Sequence, residues 1–342
     1  VRYRTHSGEW VLVESGEAVE WRTVGSSLDG RAHEAVYRLP VSGAGGEEAL
    51  VVRLGFEVED AGLRWGVSVE NRANSPVEVG DLAIPLPVNR NRGRGREAPS
   101  GPPILKHSLV SGHGSFLFWM KGDSLGPFLV LTPETNTKLE YWESQGGYRA
   151  YLHAAASEAV ARERGCQWRQ PVSSLFLAPA GQPGNDRSYG FNFRWADDYD
   201  GVRQVLIDEG LVDVNVVPGM TVPLDLFARV ALRSNEPIRT LEAEFPGETR
   251  VRSLGRRDGA DLYEIRFSRL GENRITIRFG EDRYMVLEFF STEPLETLIA
   301  KRGAFIAAHQ HRNPDLWYDG LLAEWNMESQ VMLGPDNYDR IK

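Results

Sequence analysis

The chain of 342 residues is 41% hydrophobic and 25% charged, ordinary globular proportions that exclude wholesale disorder and collagen-like or coiled-coil architectures. Its 39 Lys and Arg against 48 Asp and Glu give a formal charge of −9, the wrong sign for a dedicated nucleic-acid binder. A single cysteine, Cys166, excludes an intrachain disulfide and a cysteine-built zinc site. The length suits two domains, or one large β unit with an appendage. No run approaches ~18 uninterrupted apolar residues, so no transmembrane helix and no membrane partner are expected. The opening VRYRTHSGEW alternates like a strand, without an initiator methionine or the apolar core of a signal peptide. A trimmed or processed start is therefore expected, and no cellular address is legible there.

Glycine and proline, 35 and 19 residues, punctuate short segments of period-two alternation, the pattern of antiparallel β-sandwiches. Residues 50–60, 63–72 and 75–88 read as successive strands, separated by turns at Asp60–Gly62 and Ala73–Ser75. Strands follow at 116–121, 128–133, 137–143, 172–178, 189–195 and 222–232, and alternation predicts one buried face holding Trp65, Phe116, Phe118 and Leu129. Two helices interrupt them as connections over the sheet. One covers 154–165 and stops at Gly165; the other covers 196–210, capped by Asp197 or Asp198 and stopped by Gly210.

The turn-rich Ser234–Pro237 then divides the chain into a large antiparallel β-supersandwich, 1–234, and a small β-sandwich, 235–290. The smaller core is expected to hold Leu262, Ile265, Ile275, Ile277, Val286 and Phe289 or Phe290. From 291 the periodicity turns helical, over 291–313 after an entry at Pro294, and again over 320–333. No repeat of propeller or solenoid length is present.

Four tracts offer chemistry. Arginines 90, 92, 94 and 96, loosened by glycine and asparagine, suit a phosphate or carboxylate clamp, or a solvated excursion between strands. His107 and His113 fall in a Gly/Ser-dense segment where imidazoles serve as acid, base or donor, and Gly112 and Gly114 allow close backbone approach. Glu140 is followed by Tyr141 and Trp142. Asp315, Trp317, Tyr318, Asp319, Glu324, Trp325 and Glu328 crowd together near the end. Flat rings beside carboxylates are what sugar chemistry uses. The candidate catalytic residues are thus Asp319, Glu324 and His113, and the candidate substrate contacts His107, Trp317, Tyr318, Trp325, Glu140 and Trp142. No phosphate-binding loop, HExxH, GxSxG or nucleotide fingerprint occurs, so neither a cofactor nor a metal is expected.

KHSLVSGHGSFLFW, GPFLVLTPETNTKLEYWE, GLVDVNVVPGMTVP and RGAFIAAHQHRNPDLWYDGLLAEWNM together resemble a bacterial and fungal family of large secreted proteins. That family carries a domain of unknown function and is grouped with the six-hairpin glycosidases. The resemblance implies a galactose-mutarotase-like supersandwich followed by an (α/α) helical toroid carrying the active site, and a secreted or periplasmic address. A toroid needs far more helices than fit after residue 291. The chain is therefore expected to be a fragment, or one completed by a second polypeptide. The resemblance transfers no catalytic residue.

The leading functional expectation is a glycoside hydrolase acting on a polysaccharide, which needs two carboxylates about 5–5.5 Å apart for retention or about 6.5–9.5 Å for inversion. The alternative is a polysaccharide lyase, with Tyr or His removing a proton beside a uronate carboxylate that Arg or Asn neutralises. A non-catalytic carbohydrate-binding or assembly module is the third. Convergence of the GHGS and WYDG segments on one cleft is expected of a site; otherwise the histidine turn braces the sheet.

Overall fold

The structure, a computed structural model, describes residues 1–5, 8–14, 20–23, 31–40, 49–86, 104–143 and 148–309. Its first unit is two facing antiparallel sheets. The larger orders the strands Glu20–Thr23, Ala32–Pro40, Ala49–Glu59, Gly62–Asn71, Asp186–Ala196, Phe128–Pro133, Phe116–Lys121 and Ile104–Leu109. The smaller orders Tyr141–Glu143, Arg149–Ala154, Val77–Pro85, Arg2–Thr5 and Val11–Leu12, with Leu175–Leu177 also on Val77–Pro85. Period-two patterning explains the interface: Trp65, Val67, Val69 and Asn71 are buried while Arg64 is exposed. They meet Tyr3, Val77, Val79, Leu82 and Ile84 of the facing sheet. Asn71 is buried at no cost in lost hydrogen bonds, since its amide donates to Ser75 O and Ala178 O and its Oδ1 accepts from Ala73 N. That closes the expected turn at Ala73–Ser75.

The prediction of a single buried face holds for Trp65 and Leu129 but not for Phe116 and Phe118. Those two point to the opposite face, where Met120, Phe128 and Val130 also lie. Helix α2 (Tyr199–Asp208) covers that face with Val202, so the central strands are apolar on both sides and simple alternation misreads them. The expected start and stop signals both operate in α2: Asp198 Oδ1 accepts from Gly201 N at 2.7 Å, and Gly210 follows at φ 72°. Helix α1 (Ala155–Glu163) begins after Ala154, which has no side chain to cap it; Asp81, from the neighbouring strand, instead accepts from Ser157 N and Oγ at 2.9 and 2.8 Å.

Strand pairing changes partners earlier than the expected boundary at 234/235. Asp213–Val217 and Ala228–Arg233 join Ala260–Phe267 and Thr249–Arg257 in one four-stranded sheet. Thr221–Pro223, Arg283–Thr292, Gly271–Phe279 and Ile238–Ala243 form the facing one, its first pair parallel. The Ser234–Pro237 turn is therefore a crossing between the two sheets of one sandwich. Ile265, Ile275, Ile277 and Phe289 lie in its core as expected, whereas Phe290 is exposed, and Leu262 and Val286 occupy the outward parity beside core Tyr263, Met285 and Leu287. Helix α3 (Leu295–His309) realises the first part of the helix expected at 291–313. No helix of the described residues is long and apolar enough to cross a membrane. The second expected helix, the toroid and the arginine tract lie outside the described residues.

The turn carrying His113 joins the two sandwiches. Strand Arg283–Thr292 would expose a bare edge at Tyr284–Val286, and the turn satisfies it: His113 N donates to Tyr284 O at 3.0 Å, and Ser111 Oγ accepts from Val286 N and donates to Val286 O, both at 2.6 Å. Gly112 and Gly114 do permit a close approach, but to this strand rather than to a ligand. A Cβ on Gly114 meets Met285 Cβ at 2.6 Å, and Gly112, at φ 60°, brings Tyr284 Cε2 to 2.7 Å of its own. Gly114→Ala is expected to cost about 1–3 kcal/mol by overpacking, read as a lowered denaturation midpoint. Gly55→Ala, whose Cβ meets nothing within 4 Å, should stay close to neutral in the same measurement.

Candidate functional site

Beside this seam a cavity of about 400 Å³ is lined by His113, Asn136, Lys138, His153, Arg187 and Tyr189. Its centre is built by a defect in a strand. Arg149–Ala154 pairs with Val77–Pro85, but its register slips between Tyr151 and His153. Such a bulge re-aims the side chain that follows it. His153 thereby spans from one sheet to the other, its Nε2 2.6 Å from the Tyr189 hydroxyl on strand Asp186–Ala196. Its Nδ1 lies 3.1 Å from both Ser173 O and Ser173 Oγ; the carbonyl only accepts and the hydroxyl gives its proton to Glu140, so Nδ1 carries the proton and Nε2 accepts from Tyr189.

Ser173 is held in turn by a buried carboxylate. Glu140 accepts from Ser173 N at 2.9 Å, from Ser173 Oγ, and from Ala154 N at 3.0 Å, and pairs with Lys138 Nζ at 2.9 Å. Burial opposes the Lys138 ammonium, but Glu140 outweighs it and holds the amine's pKa above its usual value. Burial lowers the pKa of His153 despite the nearby Glu140 charge, keeping the imidazole neutral. Burial likewise raises the Tyr189 phenol, against the opposing effect of Arg187, whose guanidinium lies 6.0 Å from the ring centroid. The resting site therefore holds a neutral imidazole–phenol pair, with cationic side chains at its wall.

Of the sequence-predicted residues, His113 lines this cavity. Its ring meets Tyr284 edge-on at 5.3 Å, and burial, then Lys138 and Arg283, push its pKa down to about 4. Glu140 lies beneath the cavity, its side chain fully buried and its oxygens occupied by the donors above. His107 stands on the other side of the larger sheet, the side that meets α2, stacked on Phe118 at 4.7 Å. Trp142 holds the Lys106 ammonium 3.5 Å from its ring centroid, with Tyr148 at 4.2 Å from the same group, and burial lowers that amine to about 8. The structure thus brings His113 and Glu140 together and leaves His107 and Trp142 apart from them. Trp317, Tyr318, Asp319, Glu324 and Trp325 lie outside the described residues.

Lys138, His153, Ser173, Arg187 and Tyr189 were not singled out from the sequence. The local signal is the lone histidine within the buried run AYLHA, which leads straight into a helix. Its phenolic partner stands 36 residues away and meets it only through the bulge.

The sequence matches the Family of unknown function (DUF5695) over residues 1–318, and the chain belongs to that family. Among solved structures, a polysaccharide lyase superposes with a TM-score of 0.63 at 19% identity, over 93% of this chain and 43% of its own. This shows a shared fold; the present chain spans less than half the lyase's length. A putative aldose 1-epimerase from Escherichia coli K12 gives a TM-score of 0.27 at 12% identity, over 52% of this chain and 68% of its own. A galactose mutarotase-like protein from Clostridium acetobutylicum gives 0.26 at 14%, over 48% and 62%. No curated protein matches the sequence.

His113 makes the seam sensitive to acid. An unfolded chain protonates this imidazole as pH falls through about 6.5, whereas the folded one resists to about 4, so its contribution is present above 6.5 and lost across that window. His113→Gln, uncharged throughout, should flatten the stability profile between those values in denaturant titrations at a series of pH. An unchanged slope would contradict the assignment.

Proposed function

We propose that this member of the DUF5695 family acts on carbohydrate, and that the cavity around His153 and Tyr189 performs lyase-type chemistry on a uronate-containing glycan. The observation that carries the reading is the neutral His153–Tyr189 pair, 2.6 Å apart, beside Arg187, Lys138 and Asn136. Hydrolysis needs two available carboxylates flanking the glycosidic bond. Glu140 is consumed by its donors, and among the described residues the one carboxylate at the cavity's lining is the exposed Asp186. The glycoside-hydrolase reading rests on the candidate carboxylates Asp319 and Glu324, which lie outside the described residues, and the six-hairpin grouping rests on the sequence resemblance alone.

In the proposed step Arg187 and Asn136 hold the uronate carboxylate and offset the charge developing on it. The C5–H bond breaks and its proton goes to the Tyr189 oxygen as the phenol proton passes to His153 Nε2. Electrons from that bond form the C4=C5 double bond, the C4–O4 bond breaks, and the leaving O4 takes the proton from the Tyr189 hydroxyl, which the His153 imidazolium reprotonates to restore the neutral pair. The low basicity of the resting pair suits this order of events. An incoming carboxylate raises the imidazole's proton affinity, so the base strengthens when substrate is bound. The single-polypeptide similarity to a polysaccharide lyase supports the fold setting, and the chemistry rests on the cavity alone.

The test is the full-length gene product incubated with uronate-containing and neutral glycans while the ultraviolet absorbance of an unsaturated product is followed. Tyr189→Phe is expected to lose about 10²-fold or more in rate with its melting temperature nearly unchanged, the ordinary worth of a positioned acid–base group. Undiminished activity in that variant, or chain cleavage without an unsaturated product, would refute the lyase assignment.

A further inference from the structure

Strand Asp186–Ala196 sends Tyr189, Phe191, Phe193 and Trp195 to the same side. The first three meet the core between the sheets, but Trp195 lies beyond the cover of the facing sheet and is 63% exposed. It is the most exposed tryptophan among those whose side chains are described. Around it Val58, Leu63, Leu129 and Phe193 line a groove of about 570 Å³. The floor is stiff: Phe193 stacks at 6.3 Å on both Trp65 and Trp119, each of them buried. An uncovered aromatic shelf of this kind on an otherwise charged surface marks a recognition site.

The rim identifies the ligand. Glu59 and Asp60, in the hairpin beside the shelf, place carboxylates at its lip, each beside an arginine: Glu59 pairs with Arg194 at 3.3 Å, and Asp60, its side chain 99% exposed, pairs with Arg31 at 3.4 Å. Paired carboxylates keep oxygens free to accept from hydroxyls, and a rim made of ion pairs offers an anion no net charge to bind. An exposed indole offers a flat apolar surface to the C–H face of a pyranose, as aromatic rings do wherever one side of a ligand is apolar and its edge is wet.

We infer that the Trp195 shelf is a binding subsite for neutral sugar residues, with Trp195 as the stacking platform and Glu59 and Asp60 as hydroxyl acceptors. It lies six positions along one strand from Tyr189, roughly 20 Å at strand spacing. Phe191, fully buried between them, closes any direct passage. The subsite is thus separate from the His153 cavity and does not depend on the lyase reading.

The chain is titrated with short neutral oligosaccharides of glucan, xylan and mannan type and with an oligouronate, following indole fluorescence and, independently, calorimetry. At least one neutral oligosaccharide should bind. Trp195→Ala should weaken that binding about tenfold or more, Asp60→Asn should weaken it less, and Trp195→Phe should retain part of it, with melting temperatures unchanged because these side chains are exposed. Four results would each overturn the inference: no binding to any neutral oligosaccharide, equal affinity in Trp195→Ala, preference for the oligouronate at this shelf, or a dimer in sedimentation that Trp195→Ala dissolves. Loss of eliminase activity in Tyr189→Phe with neutral-sugar binding intact, or the reverse, separates this inference from the lyase assignment.

Discussion

A buried carboxylate organises the part of this molecule that holds the candidate site. Glu140 has its side chain out of water and is met by Lys138, Ala154 N, Ser173 N and Ser173 Oγ. Isolated, a carboxylate in such a place would be driven out or neutralised; surrounded by donors it becomes a fixed anchor. Two other segments end on it, the residue just before α1 and the connection before Leu175–Leu177, while Lys138 pairs with it from its own segment. With Asp81 holding Ser157, it gives the first turn of α1 the anions that its own cap residue, an alanine, does not supply.

The same anchor reaches the chemistry at one remove. By fixing Ser173, Glu140 fixes the carbonyl that takes the Nδ1 proton of His153, and so decides which imidazole nitrogen faces Tyr189. The strand bulge supplies direction and the carboxylate supplies tautomer. The histidine turn at Gly112–Gly114 contributes a third constraint by clamping the second sandwich against the cavity wall through Ser111 and Tyr284. Removing the charge of Glu140 therefore disturbs fold and site together, whereas changes at Tyr189 touch the site alone.

What could be read from sequence was local. Asp198 and Gly210 frame α2 because capping and positive-φ stops act within one turn, and the strands announce themselves by alternation. Phe116 and Phe118 fall on the opposite face from the one alternation predicts because α2 buries a second face of their sheet, and α2 lies elsewhere in the chain. The break at Ser234–Pro237 looked like a boundary because turn chemistry there is strong, yet only the pairing of Ala228–Arg233 with Ala260–Phe267 shows to which sandwich the preceding strands belong. Gly112 and Gly114 did signal close approach, but glycine does not say to what. His153 and Tyr189 carried almost no signal, since their meeting depends on a bulge and on two sheets facing each other. Trp195 looked like any strand tryptophan until the extent of the facing sheet was known.

The account turns on the protonation of one ring. Nitrogen NMR of the imidazole of His153, assigned by its loss in His153→Gln, reads tautomer and charge directly across pH. A neutral ring with the proton on Nδ1 and an accepting Nε2, retained below the pH at which free histidine titrates, is the predicted result. In Glu140→Gln that tautomer preference should weaken. A proton on Nε2, or titration at the ordinary histidine value, would contradict the account, because Tyr189 would then have no acceptor for its proton.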